Sequence, residues 1–123
     1  MLLDNTLVFS DKQTLTGNTA AASTNTVDQG AAGDTFGNLW FCVKSDAAAG
    51  GTIKVQLQTA SDAEFTGAAT LFERTLTKDE MAANAMPVKV AVPVGVKRFL
   101  RVYYTPAAGG KVTAFLTDNP EVK

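Results

Sequence analysis

The clearest pattern along the chain is the alternation in TIKVQLQT (52–59), where Ile53, Val55 and Leu57 interleave with Lys54, Gln56 and Gln58. Side chains on a strand point alternately to its two faces, so this segment predicts a strand with one dry and one wet side. LWFCVK (39–44) stays apolar until Lys44, which predicts a strand buried on both faces and assigns Trp40 to the core. PVKVAVP (87–93) alternates around Val88, Val90 and Val92 and is stopped by a proline at each end, which cannot donate to a ladder. TLVFS (6–10), TNTVD (24–28), TLFERTL (70–76), RFLRVYYT (98–105) and KVTAFLT (111–117) complete a count of about eight strands.

Helical signal is slight. SDAE (61–64) and TKDE (77–80) fit the capping box, in which a Ser or Thr and a Glu three residues on satisfy each other's backbone donors. Gly67 follows the first, and Asn84 and Pro87 follow the second, so each opens a turn or two at most. Short strands separated by Gly, Pro, Asn and Asp predict an all-β chain, a jelly-roll β-sandwich with at most one or two short helical turns. Residues 16–38 are small and polar and read as a long surface connection carrying one short strand. The apolar start predicts an N-terminal strand or arm over 1–15, and the 123 residues suit a single domain without internal repeats.

In RFLRVYYT, Leu100, Val102 and Tyr104 share the face suited to a core, and Phe99, Arg101 and Tyr103 share the other. KVTAFLT repeats the arrangement, with Val112, Ala114 and Leu116 opposed to Thr113, Phe115 and Thr117. Taken as the last hairpin, the two strands place Phe99, Arg101, Tyr103 and Phe115 in one outer stripe. Tyr, Phe and Arg are favoured at protein interfaces, because each supplies a large contact area or several donors from one side chain. The competing expectation is that the protein's own loops cover that face. Lys97, Arg98 and Arg101 read in the same way, as partner contacts or as a solvated strand edge.

Composition narrows the chemistry. Without histidine, Ser-His-Asp and Cys-His sites and the commonest zinc sites are excluded. Cys42 sits between Phe41 and Val43 with no base evident, which suits a packed hydrophobe, and a lone cysteine forms no internal disulfide. Asp62 and Glu64, two residues apart in a turn, suit capping better than paired-carboxylate catalysis. GAAGD (30–34) lacks the GK[ST] ending of a phosphate loop, and no EF-hand run exists. No catalytic, cofactor or metal residues are expected. The net charge of −1 gives no broad attraction to nucleic acid or anionic lipid, so neither is expected as a partner. The N-terminus lacks the regions of a secretory signal, and no apolar run reaches the roughly 20 residues that span a bilayer, so synthesis in a reducing cytoplasm is expected.

Four phrases then stand in succession: LLDNTLVFSDKQ, AASTNTVDQGAAGD, QTASDAEF, and VKRFLRVYYT followed by GGKVTAFLT. In that order they resemble the capsid cement proteins of short-tailed bacteriophages of the Bordetella-phage type. The resemblance implies a non-enzymatic jelly-roll protein on the outer surface of an HK97-like head, clamping adjacent major capsid proteins after the shell expands. It also implies production in the host bacterial cytoplasm and a homodimer at two-fold positions, with a trimer as the alternative, since many decoration proteins of other families are trimers. The contact residues expected for that role are Leu2, Leu3 and Leu7 of the arm, then Phe99, Arg101, Tyr103 and Phe115. The alternative is a jelly-roll carbohydrate- or receptor-binding module of a virion, since Trp40, Tyr103 and Tyr104 supply aromatic surface.

Overall fold

The computed structural model describes residues 7–28, 39–92 and 95–117. Its strands are β1 (Val8–Leu15), β2 (Ala21–Ala22), β3 (Val27–Asp28), β4 (Trp40–Ala47), β5 (Ile53–Ala60), β6 (Ala69–Leu76), β7 (Val88–Ala91), β8 (Phe99–Pro106) and β9 (Gly110–Thr117). They form two antiparallel sheets. The first has the order β1-β9-β4-β7 and the second β2-β8-β5-β6, with β3 also on β8. Ala21 and Ala22 lie against Tyr104 and Tyr103, while Val27 and Asp28 lie against Leu100 and Phe99, so β2 and β3 are two halves of one interrupted strand. Counted as one, they give eight units in the orders 1-8-3-6 and 2-7-4-5, the jelly-roll arrangement. Ala21–Ala22 carries no alternation of its own. It is a strand because β8 offers it backbone partners.

Between the sheets lies one continuous core. Ile53, Val55 and Leu57 of β5 face Phe41 and Val43 of β4, and Leu100, Val102 and Tyr104 of β8 face Val112, Ala114 and Leu116 of β9. Phe41 is met edge-on by Phe9 and by Phe72, each at 6.0 Å between ring centres, which joins β1, β4 and β6 through the interior. Edge-to-face pairs are the favoured aromatic geometry because ring edges are positive and faces negative. Thr77 and Glu80 form the expected reciprocal cap: Thr77 N–H donates to Glu80 Oε1 at 2.9 Å and Glu80 N–H to Thr77 Oγ1 at 3.2 Å. The Thr77 N–H, then the Arg74 guanidinium, hold the Glu80 carboxyl below its ordinary range. Among the described residues these segments remain turns, with no α-helix.

The expected terminal hairpin is not present. β8 pairs with β5 and with β2 and β3, whereas β9 pairs with β1 and β4, so the chain changes sheets between them. The corner is held by Ala107 N–H on Thr52 O (2.8 Å), Gly50 N–H on Ala108 O (2.9 Å) and Gly109 N–H on Gly17 O (2.7 Å). Gly109 and Gly110 have φ of 68° and 132°, values that side-chain-bearing residues seldom adopt. A Cβ on Gly110 would stand 3.1 Å from Ile53 Cδ1, and one on Gly50 2.9 Å from Ala108 O. Pro106 through Gly110 therefore makes a wide corner rather than a tight turn. Two strands with the same period-2 pattern carry no mark of which sheet each enters.

The apolar start is a strand from Val8 onward rather than a free arm, an edge of the first sheet zipped to β9. Leu7 packs on the main core, and Leu2 and Leu3 lie outside the described residues. Two register shifts interrupt β1, between Val8 and Ser10 and between Ser10 and Gln13. Lys12 takes φ of 53° there, and its N–H donates to Thr113 Oγ1 at 3.0 Å. The first shift lets Val8 face outward while Phe9 and Ser10 are both fully buried.

Ser10 ties the sheets together by polar contact. Its Oγ donates to Gln13 Oε1 (2.7 Å), which leaves it to accept from the Tyr104 hydroxyl at 2.8 Å. Gln13 continues the chain, accepting from Thr24 N–H and donating to Ala22 O, both at 3.0 Å. Burial drives the Tyr104 hydroxyl far above its ordinary range, so it stays neutral and available as a donor. Ser10→Ala strands a buried phenol and is expected to cost about 1–3 kcal/mol in urea unfolding. Tyr104→Phe leaves Ser10 its Gln13 partner and should cost less, and a double mutant no worse than Ser10→Ala alone would establish the coupling.

Candidate interaction surfaces

The outer face of the second sheet carries Phe99, Arg101 and Tyr103, all half-buried, as expected from alternation on β8. Opposite them on β5 stand Ala60, Gln58 and Gln56. Arg101 Nε donates to Gln58 Oε1 at 2.8 Å, and its guanidinium carbon lies 4.5 Å from the centre of the Phe65 ring and 5.4 Å from that of Tyr103. Phe65 in turn meets Phe99 edge-on at 6.4 Å. A cation over an aromatic face is held by the ring's quadrupole, worth about 0.5–1 kcal/mol at exposed sites.

Phe65 escaped the sequence reading because it lies outside any strand. Its φ of 57° is imposed by a turn in which its N–H donates to Asp62 O (3.1 Å) and Ala68 N–H donates back to Phe65 O (3.2 Å). Asp62 Oδ2 also accepts from Thr66 N–H at 3.3 Å, a local capping role of the kind expected for it. The turn lays Phe65 over the stripe and leaves it 6% exposed, so the chain's own loop covers one end of the face. The only legible hint was the Asp62–Gly67 turn signal ending on a bulky aromatic.

The cations of this face are already engaged. Arg98 makes a two-pronged bond to Asp28, Nε to Oδ1 at 2.9 Å and Nη2 to Oδ2 at 3.0 Å, and lies 4.9 Å over the Phe99 ring. The Asp28 hydrogen bonds and charge raise its already high pKa. Lys54 Nζ stands 3.5 Å from Glu73 Oε1, which also accepts from Gln56 Nε2 at 2.8 Å. The face is an arrangement of pinned rings and locally answered charges.

Phe115 does not belong to this stripe. It lies in the other sheet, 1% exposed, packed with Val8, Cys42 and the half-buried Met86 as a second apolar cluster. Because β8 and β9 part company, their outer halves face opposite sides of the sandwich. Cys42 is completely buried, and desolvation pushes its thiol up to about 11 against a smaller opposite pull from Lys89. Trp40 is the second correction. It is 38% exposed at the start of β4, because alternation that sends Phe41 and Val43 inward sends Trp40, Cys42 and Lys44 outward.

On that outer face Lys89 lies opposite Cys42, and Ala91 opposite Trp40. Beside them opens a hollow of about 290 Å³, lined among the described residues by Lys44, Asn84, Met86 and Lys89. Asn84, at φ 68°, donates its N–H to Ser45 O at 2.8 Å, and Ser45 N–H donates to Ala85 O at 2.8 Å, which fixes this segment along β4. Lys44 Nζ is 3.8 Å from Asp46 Oδ1, whose other oxygen accepts from Thr113 Oγ1 at 2.5 Å. Among the described residues no cluster of three or more His, Cys, Asp or Glu could hold a metal, and no helix is long and apolar enough to cross a membrane.

A jelly-roll β-sandwich with two differently patterned outer faces is thus the class that the fold and surfaces define. Residues 9–116 match the Bbp16 family, and the chain belongs to that family of phage-related β proteins. Four chains of solved structures also match, among them one described as the crystal structure of PirA. Its TM-score is 0.56 at 12% identity, over 89% of this chain and 94% of that chain, a likeness of fold alone. No curated protein matches.

The buried thiol gives a direct check. Below pH 9 folded and unfolded chains both keep the Cys42 proton; from there toward 11 only the unfolded chain releases it, so stability falls with rising pH. Urea midpoints measured from pH 7 to 11 should drop more steeply for the native chain than for Cys42→Ala. Native protein at pH 8 should react with a thiol reagent only as fast as it opens.

Proposed function

We propose that the protein is a non-enzymatic cement protein of a phage virion, seated on the outer surface of an expanded HK97-like head and clamping adjacent major capsid proteins. The observation that carries this reading is the stripe of Phe99, Arg101 and Tyr103 under Phe65, fixed on the outside of a jelly roll that belongs to a phage-related family. Residues already held in place lose little rotamer freedom on docking, and each long side chain ordered at an interface otherwise costs roughly 0.5–1.5 kcal/mol. Arg101 and the three rings are such residues. They suit contact with the shell or with a second copy in a homodimer.

The physical role needs no bond chemistry. A protein that binds the assembled shell but not its separated subunits stabilises the shell by mass action. A copy or dimer bridging two capsomers adds avidity, since the second contact is intramolecular once the first has formed. Purified protein should co-sediment saturably with expanded, cement-free shells and not with unexpanded procapsids. Phe99→Ala should weaken that binding without unfolding the chain, and absence of wild-type binding to the cognate shell would reject the role.

The second reading, a carbohydrate- or receptor-binding module, is favoured by one observation: Trp40 is exposed on the outer face of β4 instead of lying in the core. Sugars stack on exposed aromatics flanked by polar groups. A glycan array with reproducible hits that Trp40→Ala abolishes would select this reading over the first.

A further inference from the structure

The outer face of the first sheet differs from the other in what it leaves unanswered. Lys89 is exposed and has no ion partner among the described residues, and Lys44 shares Asp46 with the Thr113 hydroxyl. Both flank the 290 Å³ hollow, whose remaining described wall is the Met86 thioether and Asn84. Trp40, the single exposed large hydrophobe among the described residues, lies four residues before Lys44 on the same face of the same strand. At a strand rise of about 3.3 Å per residue that is roughly 13 Å, with Lys89 between them across the ladder from Cys42.

We propose that this face grips the partner protein, Trp40 resting on an apolar spot of its surface and one of its carboxylate side chains seated between Lys44 and Lys89. The inference rests on the cement reading for the partner's identity, but the hollow's chemistry stands on its own. Two ammonium groups against one shared carboxylate leave a local positive excess, while the protein as a whole is at −1. That excess suits one anionic group rather than a polyanion. A hollow near the low end of ligand-pocket size, about 300 Å³, holds one side chain and not an extended peptide. The apolar wall suits the methylene stem behind a carboxylate, and the Trp supplies the kind of anchor that dominates protein interfaces.

Two variants and a small probe test it. Binding to expanded shells is measured for wild type, Trp40→Ala and Lys89→Glu at low and at physiological salt. The proposal expects each variant to bind about tenfold more weakly or worse, and salt to weaken the wild type but not Lys89→Glu. Lys89 is exposed, so its reversal should leave the urea midpoint unchanged even if Trp40→Ala lowers it. In parallel, N-acetylglutamate methylamide, which carries one carboxylate, is titrated into the free protein and followed by NMR. Saturable shifts of the Met86 methyl and Asn84 amide, absent with the glutamine analogue and in Lys89→Glu, are expected. If wild type binds shells and both variants bind within twofold of it, the face is not the grip. If wild type binds no shell, the cement reading fails, and the titration alone decides the hollow: no shifts overturn it.

Discussion

The corner between β8 and β9 governs the rest of this molecule. Had residues 98–117 closed as a hairpin, Phe115 would share a face with Phe99 and Tyr103, leaving only Tyr104 of the segment's four aromatics on the other. By carrying the chain from one sheet to the other, residues 107–109 make Leu100, Val102 and Tyr104 confront Val112, Ala114 and Leu116 across the interior. Two half-apolar strands thus close a core that neither could close by pairing with the other. The close approach of Ala108 to Gly50 and of Ile53 to Gly110 explains why small residues gather there.

Much of the fold was legible because alternation is local. β5, β8 and β9 show the inner and outer residues that their sequences assign, and the Thr77–Glu80 cap forms as written. Pro87 bounds β7 at its start as expected, and Pro93 lies outside the described residues. What stayed hidden depends on partners distant in the chain. Nothing in RFLRVYYT or KVTAFLT says which sheet receives it, so Phe115 was placed on the wrong side of the molecule. Trp40 was assigned to the core by its apolar neighbours, although the parity that buries Phe41 points Trp40 outward. Phe65 reaches the stripe through a turn whose left-handed residue no periodicity marks.

The two outer faces make a contrast of electrostatic completion. On the second sheet Arg98 has Asp28 and Arg101 has Gln58 and two rings, so their donors and charges are answered within the chain before any neighbour arrives. On the first sheet the Lys89 ammonium, with no ion partner among the described residues, lies across the ladder from Cys42 of the buried cluster with Val8 and Phe115. A neighbour there gains by supplying the missing charge. One face thus answers its own charges and the other keeps a positive excess among the described residues.

The zipper of β1 onto β9 has a consequence for how the chain becomes a protein. Val8 meets Phe115, and the Ser10 and Tyr104 hydroxyls that join the sheets lie 94 residues apart in sequence. Closing so long a loop costs entropy before any contact repays it, and folds dominated by such pairings form in roughly milliseconds to seconds. On the ribosome β1 waits without its partner until β9 emerges. The first sheet's outer face therefore forms only after β9 has been synthesised.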